Sequence, residues 1–254
     1  MKIAIAGKGG VGKTTISGTL CRLLGQTGKK VLAIDGDPNP NLSVVLGVGR
    51  NKLPPALSTD VLDRVEDPDG TRRIILKTPF DEVLATYGLE APDNVTLLTV
   101  GLPEHAGAGC MCGSHTTVRE IIHAAMSEGD SITVLDMEAS MEHMKRGTSK
   151  YVDTMFTIVE PYYRSLEAAG RFAKLAKELG VKKIAAIANK VRTEEEAEAI
   201  NEFCSSIDLP VELYINFDPN VSQADLKGQS IMDEDRDTEL VESLRKLVSN
   251  MGLN

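Results

Sequence analysis

The chain has 254 residues, 42% of them apolar, which fits one globular domain large enough to bury a substantial core. Its formal net charge is −9, from 28 basic and 37 acidic residues, so no summed positive field exists to hold a polyanion. Tryptophan is absent and only 4% of the residues are aromatic, which removes the stacking platforms of single-strand binders. We therefore expect no nucleic acid partner.

No stretch approaches the roughly 18 uninterrupted apolar residues that a membrane span needs. The apolar part of residues 1–10 is too short for a signal peptide and has no small-residue cleavage site. These features predict a cytoplasmic protein with no membrane partner. In a reducing compartment, four cysteines favour core packing, metal ligation or redox chemistry over a disulfide framework. Cys21 and Cys204 are predicted to be core residues.

Short apolar runs alternate with helical patterns along the chain. The runs are almost continuously hydrophobic, which is typical of strands buried on both faces. They lie at residues 2–7, 30–35, 95–101, 132–137, 155–160, 183–189 and 211–217. Helical patterns lie at residues 14–28, 116–129, 164–180, 194–207 and 237–251, and the first three end at Gly28, Gly129 and Gly180. The alternation predicts an α/β fold with a mostly parallel sheet flanked by helices on both faces.

Residues 47–94 break this alternation. They contain five prolines and many charges, with a short strand predicted at residues 72–77 and a short helix at residues 80–88. We interpret them as an irregular surface insertion within a single domain that spans residues 1–254. A partner-binding insertion is the alternative.

The strongest chemical signal follows the first strand. Residues 7–15 read GKGGVGKTT, which satisfies the phosphate-loop pattern G-x-x-x-x-G-K-[ST] and runs directly into a helical pattern. Such a loop turns its backbone N–H groups around phosphate oxygens, and the helix N-terminus adds its positive end. Lys13 is expected to neutralise the β- and γ-phosphates of ATP, and the Thr14 hydroxyl to bind Mg²⁺. The nucleotide-binding residues predicted here are Lys8, Gly9, Gly10, Val11, Gly12, Lys13, Thr14 and Thr15.

Carboxylates follow two of the predicted strands. Asp35 and Asp37 lie in IDGDPNPN at the end of the second strand, and Asp136 ends the fourth. Ligands bind at the carboxyl ends of strands in such folds, so these acids are expected beside the nucleotide, although Asp-Pro also opens ordinary turns. Asp136 is predicted to be an Mg²⁺-associated carboxylate.

The extra lysine in KGGVGKT resembles the deviant Walker A loop of the family that includes the nitrogenase iron protein, the septum-site ATPase MinD and the partition ATPases. The resemblance implies an ATPase in which Lys8 reaches the phosphates of a second chain, so that ATP closes a homodimer. It also implies that Asp37 orients the attacking water and that Asp35 helps to hold Mg²⁺ through its water shell. By the same resemblance, Asn189 hydrogen-bonds the adenine and Asp218 borders it. The predicted catalytic residues are Asp37, Lys8 and Lys13.

Residues 136–148, DMEASMEHMKRGT, are similar to the second switch of the CooC family, whose ATPases mature carbon monoxide dehydrogenase. Ser140 stands where that family has Gly, which bears on the ease of the switch motion. Cys110 and Cys112, in GCMCG, supply two thiolates, whereas a stable Ni²⁺ or Zn²⁺ thiolate site takes four. The resemblance implies a four-thiolate site shared between two chains, and two-fold symmetry supplies the missing pair.

The predicted function is therefore an ATP-dependent metallochaperone that inserts nickel into carbon monoxide dehydrogenase or acetyl-CoA synthase. For the cysteine pair, a redox dithiol and two incidental cysteines are the alternatives, and His105 and His115 are nearby alternative ligands. The alternative function is an iron-sulfur ATPase, an electron donor or cluster scaffold, because four thiolates also hold a [4Fe–4S] cluster. A positioning ATPase of the MinD or partition type is disfavoured, since the C-terminal helical pattern has mixed charge and few cations.

Overall fold

The structure, a computed structural model, describes residues 1–37, 39–49, 52, 57, 59–70, 72–100, 120–125, 131–137, 152–234 and 237–252. Several predicted features lie outside these ranges. They are His105, Cys110, Cys112, His115, Gly129 and the second-switch segment after Met137, including Ser140.

The described strands form one large sheet and a separate hairpin. They are β1 (Lys2–Gly7), β2 (Val31–Asp35), β3 (Leu62–Glu66), β4 (Arg72–Leu76), β5 (Leu89–Ala91), β6 (Val95–Thr99), β7 (Ile132–Asp136), β8 (Thr154–Val159), β9 (Lys183–Val191) and β10 (Val211–Asn216). The large sheet has the order β10-β9-β8-β1-β7-β2-β6-β5, and every pair is parallel except β5 with β6. All seven apolar runs form strands in it, which confirms the mostly parallel sheet.

Helices cover both faces of the sheet. They are α1 (Lys13–Gln26), α2 (Leu42–Val45), α3 (Phe80–Tyr87), α4 (Tyr163–Glu178), α5 (Glu194–Ser206), α6 (Pro219–Lys227), α7 (Ile231–Glu234) and α8 (Glu239–Asn250), with further helix at 120–125. Alternate side chains of β1 pack on opposite faces of the sheet. Ile3 and Ile5 pack in a core with α1 and α8, whereas Ala4 and Ala6 pack in a core with α3, α4 and 120–125. This two-sided burial explains why the strands read as continuous apolar runs.

Residues 62–91 contain more regular structure than the proline-rich pattern indicated. The predicted strand and helix are present as β4 and α3, and β3 pairs antiparallel with β4 in the hairpin. The sequence of β3, LDRVE, is mostly exposed, which explains why it gives no apolar signal. The extent of the single domain and the surface-insertion interpretation stay predictions.

Cys21 and Cys204 are both buried, which confirms the prediction that they belong to the core. Burial raises the pKa of both thiols, that of Cys204 to about 11, so both stay protonated and neutral near pH 7. Within the described part of the chain, no helix combines the length and apolar character needed to cross a bilayer.

Candidate nucleotide site

The phosphate loop connects β1 to α1 at the carboxyl edge of the sheet, in the order that the sequence predicts. Gly12 has a φ of 92°, and a Cβ at this position would lie 2.5 Å from Asn189 Nδ2. Gly10 has a φ of 85°, and a Cβ there would meet no atom within 4 Å. A side chain at position 12 would therefore clash with Asn189 and also strain the backbone, whereas a side chain at position 10 would only strain the backbone. The loop keeps open space over Gly9 and Gly10.

Lys13 begins α1 and is only 8% exposed. Its Nζ donates a hydrogen bond to the backbone carbonyl of Lys8 at 3.3 Å, so the side chain lies back along the loop. This placement brings the ammonium to the loop that would bind phosphate. The predicted role of Lys13 in phosphate neutralisation remains a proposal that this geometry supports.

Two consecutive side chains at the end of β9 hold two consecutive carbonyls of the loop. Asn189 Nδ2 donates to the Val11 carbonyl at 2.8 Å, and Lys190 Nζ donates to the Gly10 carbonyl at 2.7 Å. Lys190 also forms an ion pair with Glu160, with 2.6 Å between Nζ and Oε1. The sequence predicts contact between Asn189 and adenine but does not single out Lys190 or Glu160. Glu160 follows a buried strand as Asp136 ends one, so the same rule would have found it.

Asp35 and Asp136 are register partners at the ends of the neighbouring strands β2 and β7. Both are 1% exposed. Burial raises the pKa of Asp35 to about 6, although backbone hydrogen bonds from Leu42 and Asp37 lower it. Burial, together with the nearby charge of Asp35, raises the pKa of Asp136 to about 7, although hydrogen bonds from Thr14 and Ser17 and the charge of Lys13 lower it. A cation bound between these strand ends would favour the ionised form of both carboxylates.

The residues around Asp136 fit Mg²⁺. Asp136 Oδ1 accepts a hydrogen bond from Ser17 Oγ at 3.1 Å, and the Thr14 hydroxyl also hydrogen-bonds this carboxylate. Asp136 Oδ2 is buried and accepts no hydrogen bond from the described residues. Mg²⁺ prefers hard oxygen ligands and keeps several waters, so one or two carboxylates and a hydroxyl suffice. Ser17, one helical turn after Thr14, is a further member of this site that the loop pattern does not include.

Among the described residues, no group of three or more His, Cys, Asp or Glu side chains is placed to hold a metal. The Asp35–Asp136 pair would hold Mg²⁺ together with waters and substrate phosphates, as Mg²⁺ sites commonly do.

The raised pKa of Asp136 predicts how stability depends on pH without nucleotide and Mg²⁺. A buried acid whose folded pKa is about 7, against an ordinary value of about 4, binds its proton more tightly in the folded state. The free energy of unfolding should therefore fall as the pH rises from about 4 to about 7. Denaturant unfolding of wild type and Asp136→Asn across this range tests the point. The variant should lose part of the slope, and equal slopes would contradict the prediction.

Asp35 also organises the loop that carries Asp37. Its Oδ1 accepts the Asp37 N–H at 3.2 Å and its Oδ2 accepts the Leu42 N–H at 2.9 Å. Asp37 itself is partly exposed, and its Oδ1 accepts the Asn39 N–H at 2.8 Å. A role of Asp35 in the Mg²⁺ water shell stays a prediction, whereas its hold on this loop is structural.

Lys8 lies at the rim of the loop. Its Nζ is 5.1 Å from the centroid of the Tyr162 ring, which is within the range of a cation–π contact. Partial burial, together with a hydrogen bond to Glu160, raises the pKa of the Tyr162 phenol to about 12. Lys8 is therefore held near its own loop in the single chain.

A cleft with a cavity volume of about 50 Å³, partly open to solvent, adjoins the phosphate loop. Its lining includes Gly12, Thr15, Asn189, Phe217 and Asp218. Asp218 Oδ1 accepts the Asn220 N–H at 2.8 Å and so caps α6. The structure thus brings together Asn189, predicted to hydrogen-bond the adenine, and Asp218, predicted to border it, which lie far apart in the sequence. The cleft is the candidate base subsite.

The loop, the paired acids and the adjoining cleft define a P-loop ATPase. The model of the CobQ/CobB/MinD/ParA nucleotide binding domain family matches residues 2–231, and the chain belongs to that family. An uncharacterized ATP-binding protein of Methanocaldococcus jannaschii is 37% identical over 234 residues, which cover 91% of each chain. The carbon monoxide dehydrogenase accessory protein CooC of Rhodospirillum rubrum is 35% identical over 240 residues, covering 92% of this chain and 90% of that protein. These matches confirm the resemblance to CooC-type deviant Walker A ATPases.

Solved structures agree on the fold. The septum site-determining protein MinD of Pyrococcus horikoshii, complexed with Mg-ADP, superimposes with a TM-score of 0.71 at 22% identity. The match covers 98% of this chain and 95% of that one. The predicted P-loop fold is confirmed.

Proposed function

We propose that this ATPase is a metallochaperone that inserts nickel into carbon monoxide dehydrogenase or acetyl-CoA synthase. One observation carries the proposal: 35% identity to a carbon monoxide dehydrogenase accessory protein across 92% of the chain. The Cys-x-Cys at positions 110 and 112 supplies the ligand chemistry, because thiolates bind Ni²⁺ and Zn²⁺ well. Thiolate ligation needs reduced cysteines, which fits the cytoplasmic location expected from the sequence.

The proposed working unit is a homodimer. Two cysteines from each chain would give one metal ion its four thiolates, and Lys8 of each chain would reach the phosphates of the other. Lys8 is only partly buried and lies at the rim of the loop, which supports this proposal; to reach the second chain it would exchange its contact with Tyr162 for the phosphates. ATP and the metal ion would then favour the same closed dimer, so the two ligands would be thermodynamically coupled.

In the proposed hydrolysis step, Asp37 orients the attacking water, and Lys13 and Lys8 neutralise the charge that develops on the phosphates. Thr14 and Asp136 would hold Mg²⁺, which supplies Lewis-acid stabilisation of phosphate charge when bound. Loss of the γ-phosphate would remove the group that both lysines contact. The dimer would then open and release the metal to its client enzyme.

Titration of purified protein with Ni²⁺ in the presence and absence of ATP tests the shared thiolate site. Wild type should bind one ion per two chains, and Cys110→Ala should lose this binding because only two thiolates per dimer remain. Cys204→Ala is the matched control, since Cys204 is buried in the core and should be irrelevant to the metal. Undiminished binding at one ion per two chains in Cys110→Ala would exclude the site.

Anaerobic purification separates the nickel proposal from an iron-sulfur ATPase. The nickel proposal predicts protein that contains neither iron nor acid-labile sulfide as isolated. A broad brown visible absorbance that disappears in Cys110→Ala would instead indicate a cluster held by the same thiolates.

A further inference from the structure

The end of β9 is built so that two neighbouring side chains reach the phosphate loop. A regular strand points consecutive side chains to opposite faces. Here Lys190 has a φ of 58°, in the left-handed region, and the register between β9 and β10 shifts at this point. The irregularity allows Asn189 and Lys190 to contact the loop together. A non-glycine residue is strained in this conformation, and such strain persists where the surroundings enforce it.

The two contacts set the orientation of two peptide groups. In a trans peptide the C=O and the following N–H point in opposite directions. Lys190 holds the Gly10 carbonyl and therefore directs the Val11 N–H to the other side of the chain. Asn189 holds the Val11 carbonyl and directs the Gly12 N–H in the same way. These N–H groups belong to the segment that binds phosphate in a P-loop.

The Lys190 side chain is anchored at its charged end. Glu160 is 11% exposed at its side chain and lies 2.6 Å from Lys190 Nζ, while the Lys190 side chain is 38% exposed. The same ammonium donates to the Gly10 carbonyl, so Glu160 fixes the donor against a backbone acceptor. A charged donor makes this a stronger hydrogen bond than a neutral pair would.

We propose that Lys190 is a positioning residue for nucleotide binding, which holds the Gly10–Val11 peptide in its phosphate-binding orientation. Lys190 acts through the loop backbone and not through direct contact with the phosphates. Glu160 positions Lys190 in turn. The proposal rests on the ATPase class of the chain and is independent of the nickel proposal.

Binding of ADP with Mg²⁺, measured by calorimetry, tests the proposal. Lys190→Met keeps the length of the side chain but removes the donor, and should weaken ADP binding about tenfold, as expected for one lost charge-assisted hydrogen bond. Lys190→Arg keeps charge and donors and should recover most of the affinity. Lys190→Gly relieves the left-handed backbone but also removes the side chain that holds the Gly10 carbonyl, so ADP binding should still fall.

Lys183→Met is the matched control. Lys183 lies on the same strand and pairs with Glu212 at 3.0 Å, but it begins β9, away from the loop. This variant should bind ADP like wild type. The proposal fails if Lys190→Met binds ADP within twofold of wild type, or if Lys183→Met weakens binding equally. It also fails if Lys190→Gly binds ADP like wild type, because the loop would then keep its phosphate-binding orientation without the Lys190 hydrogen bond.

Discussion

Replacement of Asp37 by asparagine is expected to lower the rate of ATP hydrolysis by about 100- to 1000-fold while leaving ADP affinity nearly unchanged. The physical reason is the loss of the carboxylate that orients the attacking water. Asparagine retains the Oδ1 that accepts the Asn39 N–H at 2.8 Å, and the Asp37 N–H that Asp35 holds is untouched. The loop should therefore keep its shape and lose only charge and basicity.

Single-turnover hydrolysis at saturating ATP, together with ADP titration, measures the two effects separately. Asp63→Asn is a suitable control, because Asp63 Oδ1 also accepts a backbone N–H, from Arg64 at 2.8 Å, but lies in the β3–β4 hairpin. The control should hydrolyse ATP like wild type. If Asp37→Asn hydrolysed ATP within a few-fold of wild type, the water-orienting role would be wrong.

Replacement of Gly25 by alanine is expected to destabilise the fold by about 3 kcal/mol or more. A Cβ at Gly25 would lie 1.6 Å from the backbone carbonyl oxygen of Asp93. Hydrogen bonds hold the turn that contains Asp93 and Asn94 in place. Arg22 Nε donates to Asp93 Oδ2 at 2.7 Å, and the Asn94 carbonyl accepts the Val31 N–H at 3.1 Å. The gain of about 1 kcal/mol that alanine brings to a helix interior is too small to offset this clash.

Denaturant unfolding of Gly25→Ala and Gly170→Ala gives a matched comparison. Gly170 also lies inside a helix, α4, but a Cβ there would first meet the flexible Cδ1 of Ile207 at 3.3 Å. Gly170→Ala should be neutral or slightly stabilising. Equal stability of the two variants would show that the Asp93 turn can move away from α1.

The elements that the sequence predicted well share one property, which is that their signals are local. The phosphate loop is a contiguous pattern between a strand and a helix, and buried parallel strands are apolar throughout. By contrast, β3 is largely exposed, so nothing in its own residues distinguishes it from a loop. Helix α6 begins at the Asp218 cap, whereas the sequence predicts Asp218 only as a border of the base.

The residues of the candidate site also divide into those with a local sequence signal and those without one. Asp35 and Asp136 were found because each ends a buried strand, and parallel topology then makes them register partners. Ser17 and Lys190 were not predicted, since their roles depend on which atoms they meet across the fold. The left-handed backbone of Lys190 has no signature in the letters ANKV.

By itself, the sequence determined the fold class, the position of the phosphate loop and the acids expected beside it, because these follow from periodicity and contiguous motifs. Only the tertiary structure decided that Asn189 and Lys190 hold the loop carbonyls and that Asp35 holds the Asp37 loop. The physical reason is that hydrogen-bond partners and steric limits are set by distances between remote segments. Gly25 shows this most directly, because a side chain there is excluded by the backbone carbonyl of Asp93, which lies 68 positions further along the chain.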